Sequence, residues 1–227
     1  MCGRLALQKS DMERMEKELA ARWETPRPEP HFNLCPNAHE VPVVLQTEGE
    51  RTLHAFRWGY IPFWNKQPDP RGHACAVGEE IHSKPSFRHA FKRQRCLIPM
   101  TGWFEWQPPA PGERHKRPWW IYPVSEEIIT VAGVWDTWRP SPGANPLHTF
   151  AVVTVGPNAW MAQIHNRMPV ILDATEREAW LDPSTAADDL RSLIRPAPDG
   201  ILDAYRVSTR LNNPRYDEAD ILDPFPG

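Results

Sequence analysis

Apolar residues at Met12, Met15, Leu19 and Trp23 recur with the 3.6-residue period of a helix and predict an amphipathic helix over residues 11–23. Ser10 and Glu13 occupy the reciprocal positions of a capping box at its start. Prolines at 26, 28 and 30 end it and predict a stiff extended linker over 25–30. Apolar and alternating runs predict a strand pair at 41–45 and 53–58, joined through Glu48-Gly49-Glu50. Further strands are expected at 95–99, 102–107, 118–122, 127–135, 149–155 and 201–207. Phe87, Ala90 and Phe91 mark a short helix over about 85–94. A second capping box, Thr175 with Glu178, opens another helix through Trp180, and a third short helix is expected over 184–194. The Pro/Gly-rich stretches 62–74, 108–117 and 139–146 read as loops.

No repeat and no linker divides this pattern, so the simplest reading is α+β: a single compact domain over residues 1–227. The 26 prolines fit many short elements better than long helices. No apolar run approaches the roughly 20 residues of a membrane span, and Met1 to Gln8 lack the basic-then-apolar layout of a signal peptide. A membrane protein is thereby excluded, and the expected location is the cytoplasm. Formal charge is −3, from 29 acidic and 26 basic residues, so nucleic-acid binding requires local clustering of cations.

Such clusters exist. Lys84, Arg88, Lys92, Arg93 and Arg95 fall within one short stretch, and Arg114, Lys116 and Arg117 within another. Trp103, Trp106, Trp119 and Trp120 lie nearby in sequence, and aromatic faces beside cations suit single-strand binding. A solvated surface and a tryptophan core are the plainer readings of the same residues. Cys2, Cys35, Cys75 and Cys96 form no C-x-x-C pair and have no histidine at zinc-finger spacing, so neither a disulfide framework nor a metal site is expected. Cys35 and Cys96 read as small buried hydrophobes. Removal of Met1 would leave Cys2 carrying both a thiol and an α-amine, whose ordinary pKa of about 7.7–8.0 makes it a nucleophile near neutral pH. Glu105 sits between Trp103-Phe104 and Trp106. Alternation leaves it either outward and bland or, with Trp103, lining a cleft as a general acid/base. His165, in Gln163-Ile164-His165-Asn166-Arg167-Met168-Pro169, is either structural or site-facing.

Met1-Cys2-Gly3-Arg4, Phe32-Asn33-Leu34-Cys35-Pro36, Trp58-Gly59-Tyr60-Ile61-Pro62, Lys84-Pro85-Ser86-Phe87-Arg88, Gly102-Trp103-Phe104-Glu105-Trp106, Ala132-Gly133-Val134-Trp135 and His165-Asn166-Arg167-Met168-Pro169 follow one another in a familiar order and spacing. In these seven blocks the chain resembles the SOS response-associated peptidase (SRAP) family, from residue 2 to about Asn212. The resemblance implies a strand-rich, barrel-like antiparallel core with short peripheral helices and a basic groove. It implies recognition of abasic sites in single-stranded DNA during the damage response. It also implies a thiazolidine crosslink through Cys2, with Glu105 helping ring opening and imine chemistry and His165 assisting proton transfer and reversal. A peptidase activity that removes Met1 from the chain itself belongs to the same picture. Carried over residue by residue, the DNA-binding set is Arg4, Asn33, Trp58, Lys84, Pro85, Arg88 and Trp103. No cofactor or metal is expected, and the chain is read as a monomer that associates with the nucleoid when bound to damage.

One segment departs from the family pattern. Where Asn-Ala-Arg is usual, this chain has Cys75-Ala76-Val77, so the roles of that Asn and Arg do not carry over. Either DNA binding or the crosslink step is weakened there, or His73 substitutes locally. Two competing readings follow: a cysteine peptidase or amidohydrolase using Cys2, Glu105 and His165, and a non-covalent single-strand binding module.

Overall fold

A computed structural model of the chain describes residues 3–67, 71–112, 114–125 and 127–225. In chain order the first strands are β1 (Arg4–Leu7), β2 (Ala21–Trp23), β3 (His31–Leu34), β4 (Glu40–Thr47), β5 (Glu50–Trp58), β6 (Cys75–Val77) and β7 (Arg95–Met100). They are followed by β8 (Trp103–Gln107), β9 (Arg117–Pro123), β10 (Ile129–Trp138), β11 (Leu147–Val155), β12 (Met168–Pro169), β13 (Ile171–Leu172) and β14 (Leu202–Arg206). Four short helices, α1 (Lys9–Glu18), α2 (Arg88–Arg93), α3 (Ala174–Leu181) and α4 (Ala187–Ser192), are peripheral to this strand-rich α+β domain.

Five strands close on themselves. β5, β4, β7, β10 and β11 pair antiparallel in that order, and β11 returns to β5 through the parallel register Thr149↔Arg57 and Phe150↔Trp58. The expected barrel is therefore present, but one of its seams is parallel. β10 and β11 are buried on both faces over Val131–Val134 and Thr149–Val155, which explains why they read as unbroken apolar runs rather than alternations. A Cβ at Gly133 in this wall would lie 2.2 Å from Ile98 Cδ1 and 2.8 Å from Cys96 Sγ, so any other residue there forces both side chains to move. A second, antiparallel sheet runs β14-β9-β8-β1-β3. Its β8 is buried on both sides: Trp103 joins the barrel core, while Phe104 joins a smaller cluster with Trp120, Val207, Leu211 and Ile221.

Local signals corrected several expected boundaries. α1 begins one residue earlier than Ser10, and the cap pairs Gln8 with Asp11, whose carboxylate accepts the Gln8 N–H at 2.8 Å. It ends at Glu18, because Ala20 turns left-handed (φ 48°) and residues 21–23 then add to β5 as a parallel edge strand. The second capping box likewise lies two residues upstream, as Asp173 with Glu176. The helices expected over 85–94 and 184–194 are each a short six-residue piece. Strands β1, β3 and β6 fall where no strand was expected.

Candidate active site

β8 opens with the run Trp103-Phe104-Glu105, and its second neighbour in the sheet is β1, in the register Arg4↔Phe104 and Leu5↔Trp103. Residue 3 therefore enters β1 alongside the Glu105 end of β8. Glu105 is 2 % exposed, on the same side of the strand as Trp103, which settles its alternation in favour of the interior. Its Oε1 accepts the Trp106 N–H at 3.2 Å and lies 3.7 Å from Nε2 of His165. His165 follows a short 3-10 turn over Met161–Gln163 and is half-buried.

The backbone fixes the imidazole. Arg167 N–H points at His165 Nδ1 over 3.1 Å, and the Arg167 carbonyl oxygen lies 3.2 Å from the same nitrogen. An N–H can only donate, so this contact favours the neutral tautomer with its lone pair on Nδ1 and its proton on Nε2, the nitrogen 3.7 Å from Glu105. Burial pushes the His165 pKa down and the Glu105 charge partly opposes it, so the ring is neutral at pH 7.

β6 brings Cys75 to this pair. It runs parallel to β11 with Cys75 beside Val152, and Cys75 and Val77 share a face opposite the buried Ala76. Burial drives the Cys75 thiol up to about 12, the Glu105 charge adds to the rise and Arg167 opposes it. Cys75 is thus a protonated thiol at neutral pH and not a nucleophile. Beside it, Arg167 donates to both carboxylate oxygens of Glu79 at 2.8 Å and to the Thr154 carbonyl at 2.6 Å. Cys2 lies outside the described residues. Among the described residues no cluster of His, Cys, Asp and Glu suits a metal, and no helix is long and apolar enough to cross a membrane.

The family model for SOS response associated peptidase (SRAP) matches residues 1–214. The chain belongs to the SRAP family. Among its relatives, abasic site processing protein YoqW of Bacillus subtilis (strain 168) is 32% identical over 228 residues, covering 98% of this chain and 99% of that protein. Abasic site processing protein HMCES of Gallus gallus is 32% identical over 229 residues, covering 86% of this chain and 66% of that protein. A solved structure of a protein from Bacteroides thetaiotaomicron superposes with a TM-score of 0.75 at 28% identity, covering 86% of this chain and 85% of that one.

The DNA-binding set that the SRAP resemblance implied is divided by the structure. Lys84, Pro85 and Arg88 are exposed at the start of α2. Arg4 is half-buried at the rim, donating to Asn33 Oδ1 at 2.5 Å and the Leu211 carbonyl at 3.1 Å, with its guanidinium 5.9 Å from the Trp106 ring centre. Trp58 and Trp103 are 0 % exposed core residues, which corrects their expected role: neither offers a ring face to a base. Trp58 donates to the Ala74 carbonyl at 2.9 Å instead. Asn33 is also interior. Its amide donates to the carbonyls of Leu211, Asn213 and Tyr216, fastening the C-terminal segment to β3. Arg95 leaves the basic cluster altogether and is buried.

Phe63 (54 %) and Trp64 (50 %) are exposed together in the loop after β5, with the Phe63 ring 5.4 Å from His89 of α2. The sequence carried a signal for them that went unused: two adjacent aromatic residues among prolines, in a loop, have no core to enter. The Glu79–Arg167 pair was missed because its residues are 88 positions apart.

Two measurements test these placements. Asn33→Ala is expected to cost about 2–3 kcal/mol in urea unfolding, since it removes one acceptor and leaves buried carbonyls unmatched. An unchanged midpoint would show that the C-terminal segment is held elsewhere. His39, His54, His73, His148 and His165 all sit below their ordinary pKa, with burial the largest cause. In the interval between these lowered values and about 6.5 the unfolded chain binds more protons than the folded one. Stability therefore falls as pH drops through that interval, and a urea midpoint flat across it would contradict the assignment.

Proposed function

We propose that this chain captures abasic sites in single-stranded DNA as a covalent adduct of Cys2, formed after Met1 is removed. The observation that carries the reading is the buried Glu105 carboxylate 3.7 Å from a neutral His165 whose proton faces it. Two peptide units join residue 2 to Arg4, so its Cα stays within about 7.6 Å of the Arg4 Cα, and Arg4 pairs with Phe104 next to Glu105. A chain entering β1 beside the Glu105 end of β8 supports this reading. The relatives named for abasic site processing support the same substrate.

The chemistry needs both partners. An abasic deoxyribose is a cyclic hemiacetal. Glu105 takes the anomeric hydroxyl proton as the ring C–O bond breaks, and a proton delivered to the ring oxygen completes opening to the aldehyde. The Cys2 amine adds to that carbonyl, and loss of water gives an imine. The Cys2 sulfur then bonds to the imine carbon while the thiol proton passes to nitrogen, closing a thiazolidine. Aldehyde and aminothiol thereby give the ring plus one water. His165, with a lone pair on Nδ1 and a proton on Nε2, moves protons in the dehydration and in its reversal. Lys84 and Arg88 neutralise phosphates, and Phe63 and Trp64 replace the buried tryptophans as the stacking surface.

Purified protein mixed with an abasic single-stranded oligonucleotide should give a band that survives denaturing electrophoresis, and Cys2→Ala should remove it. Intact mass confirms that Met1 is gone. No band from the processed protein, or an equally stable band from Cys2→Ala, overturns the proposal. A non-covalent module, the reading that Cys75 and Val77 favour, would instead bind abasic and intact strands alike with salt-sensitive affinity. A peptidase would turn over added peptides many times.

A further inference from the structure

We propose that Glu79 is a positioning residue for His165, acting through Arg167. The inference rests on the proton-transfer role given to His165 above. Glu79 lies in the 3-10 turn that follows β6, and Arg167 lies two residues beyond His165. Their contact is a bidentate fork, with Arg167 NH1 on Glu79 Oε1 and NH2 on Oε2, both at 2.8 Å. Each end is anchored again: Glu79 Oε1 accepts the Gly156 N–H at 3.1 Å, and Arg167 NH2 reaches the Thr154 carbonyl at 2.6 Å. The planar guanidinium, held at three points, leaves the Arg167 backbone little freedom.

That backbone is what His165 touches. The Arg167 N–H 3.1 Å from Nδ1 selects the tautomer protonated on Nε2, aimed at Glu105. When Nδ1 takes a proton, the Arg167 carbonyl at 3.2 Å accepts a hydrogen bond from the new N–H, so the ring changes charge without turning over. The clamp thus supplies His165 with a fixed direction and a ready partner in both protonation states. Glu79 itself is half exposed (50 %), and without it Arg167 keeps its bond to the Thr154 carbonyl, so its loss costs little global stability. A loss of function without a loss of stability is therefore its signature.

The test uses the full chain labelled with 15N-histidine, the His165 signals being assigned by their absence in His165→Gln. Wild type should show Nδ1 unprotonated and Nε2 protonated. Glu79→Ala should shift His165 toward a mixture of tautomers with the urea midpoint unchanged. Single-turnover adduct formation should slow on the order of tenfold, short of the hundredfold that a 1 Å misplacement costs. Arg167→Lys, which keeps the charge but cannot form the fork, should match Glu79→Ala, and the double variant should be no worse than either. A Glu79→Ala His165 spectrum that superposes on wild type overturns the clamp. So does Arg167→Lys losing far more adduct rate than Glu79→Ala, which would place Arg167 directly on DNA. A shifted spectrum with an unchanged adduct rate keeps the clamp and refutes the proton-transfer role of His165.

Discussion

Glu105→Gln is expected to slow adduct formation by about 10²–10⁴-fold, the usual contribution of a positioned acid/base, while affinity for intact single strands stays at the wild-type value. The amide is isosteric and still accepts the Trp106 N–H through Oε1, so β8 and its neighbours remain in place. What disappears is the group that takes the hemiacetal proton and the charge that helps His165 hold one. With that charge gone, burial acts unopposed by Glu105 and His165 becomes harder to protonate. The dehydration step then loses both partners from one substitution. Folding stability should hold or rise, because a carboxylate at 2 % exposure is costly to bury. Rapid-quench kinetics with abasic oligonucleotide, alongside a urea titration, separate the two effects. An unchanged rate constant would remove Glu105 from the chemistry.

The face that Glu105 occupies illustrates why the site was only partly legible from the chain. Alternation distinguishes inside from outside when one side of a strand is wet, and β8 has packed residues on both sides. Trp103, Phe104 and Glu105 are all buried, so the period of two carries no information about direction there. The long barrel strands were legible because each is a sustained apolar run bounded by turn residues. β1, β3 and β6 were not, because three or four residues that gain their pairing from distant strands show no period of their own. The tryptophans misled for a related reason. An indole suits a stacking platform and a core equally well, and only the fold decides that Trp58 and Trp103 are sealed while Phe63 and Trp64 are displayed. The adjacency of Glu105, His165 and Cys75 is likewise long-range. Spacing could nominate each residue, but β8, the turn before β12, and β6 had to be brought together by the sheets.

Arg95 makes the same point with a larger energetic consequence. The sequence placed it in a cationic cluster with Arg88, Lys92 and Arg93, yet its side chain is buried at 7 % exposure. It donates to four main-chain carbonyls: Trp180 at 2.6 Å, Asp182 at 2.7 Å, and Phe91 and Lys92 at 2.9 Å. These carbonyls lie at the C-terminal ends of α2 and α3, the Asp182 one also accepting the Thr185 N–H at 3.2 Å, so one guanidinium caps two helices and ties both to β7. Its positive charge lies at the negative end of each helix, the favourable sign for both. Arg95→Met conserves much of the volume but strips the Phe91, Lys92 and Trp180 carbonyls of the guanidinium and leaves Asp182 with only the Thr185 N–H. The expected loss is about 3–5 kcal/mol, since each orphaned buried acceptor costs on the order of 1 kcal/mol or more. For a chain of this length that lowers Tm by roughly 10 °C. Arg95→Lys should fall between, because an ammonium on a flexible stem cannot span two helix ends with a fixed fork. The damage should reach the DNA surface as well. α2 carries Arg88 and adjoins Lys84, so a frayed α2 weakens single-strand affinity in Arg95→Met even though the Arg95 side chain itself is buried. Calorimetry and a salt titration of oligonucleotide binding on the same variants test both halves. A variant as stable as wild type would mean that the two helix ends find other donors, and the coupling between helix capping and DNA affinity would fall with it.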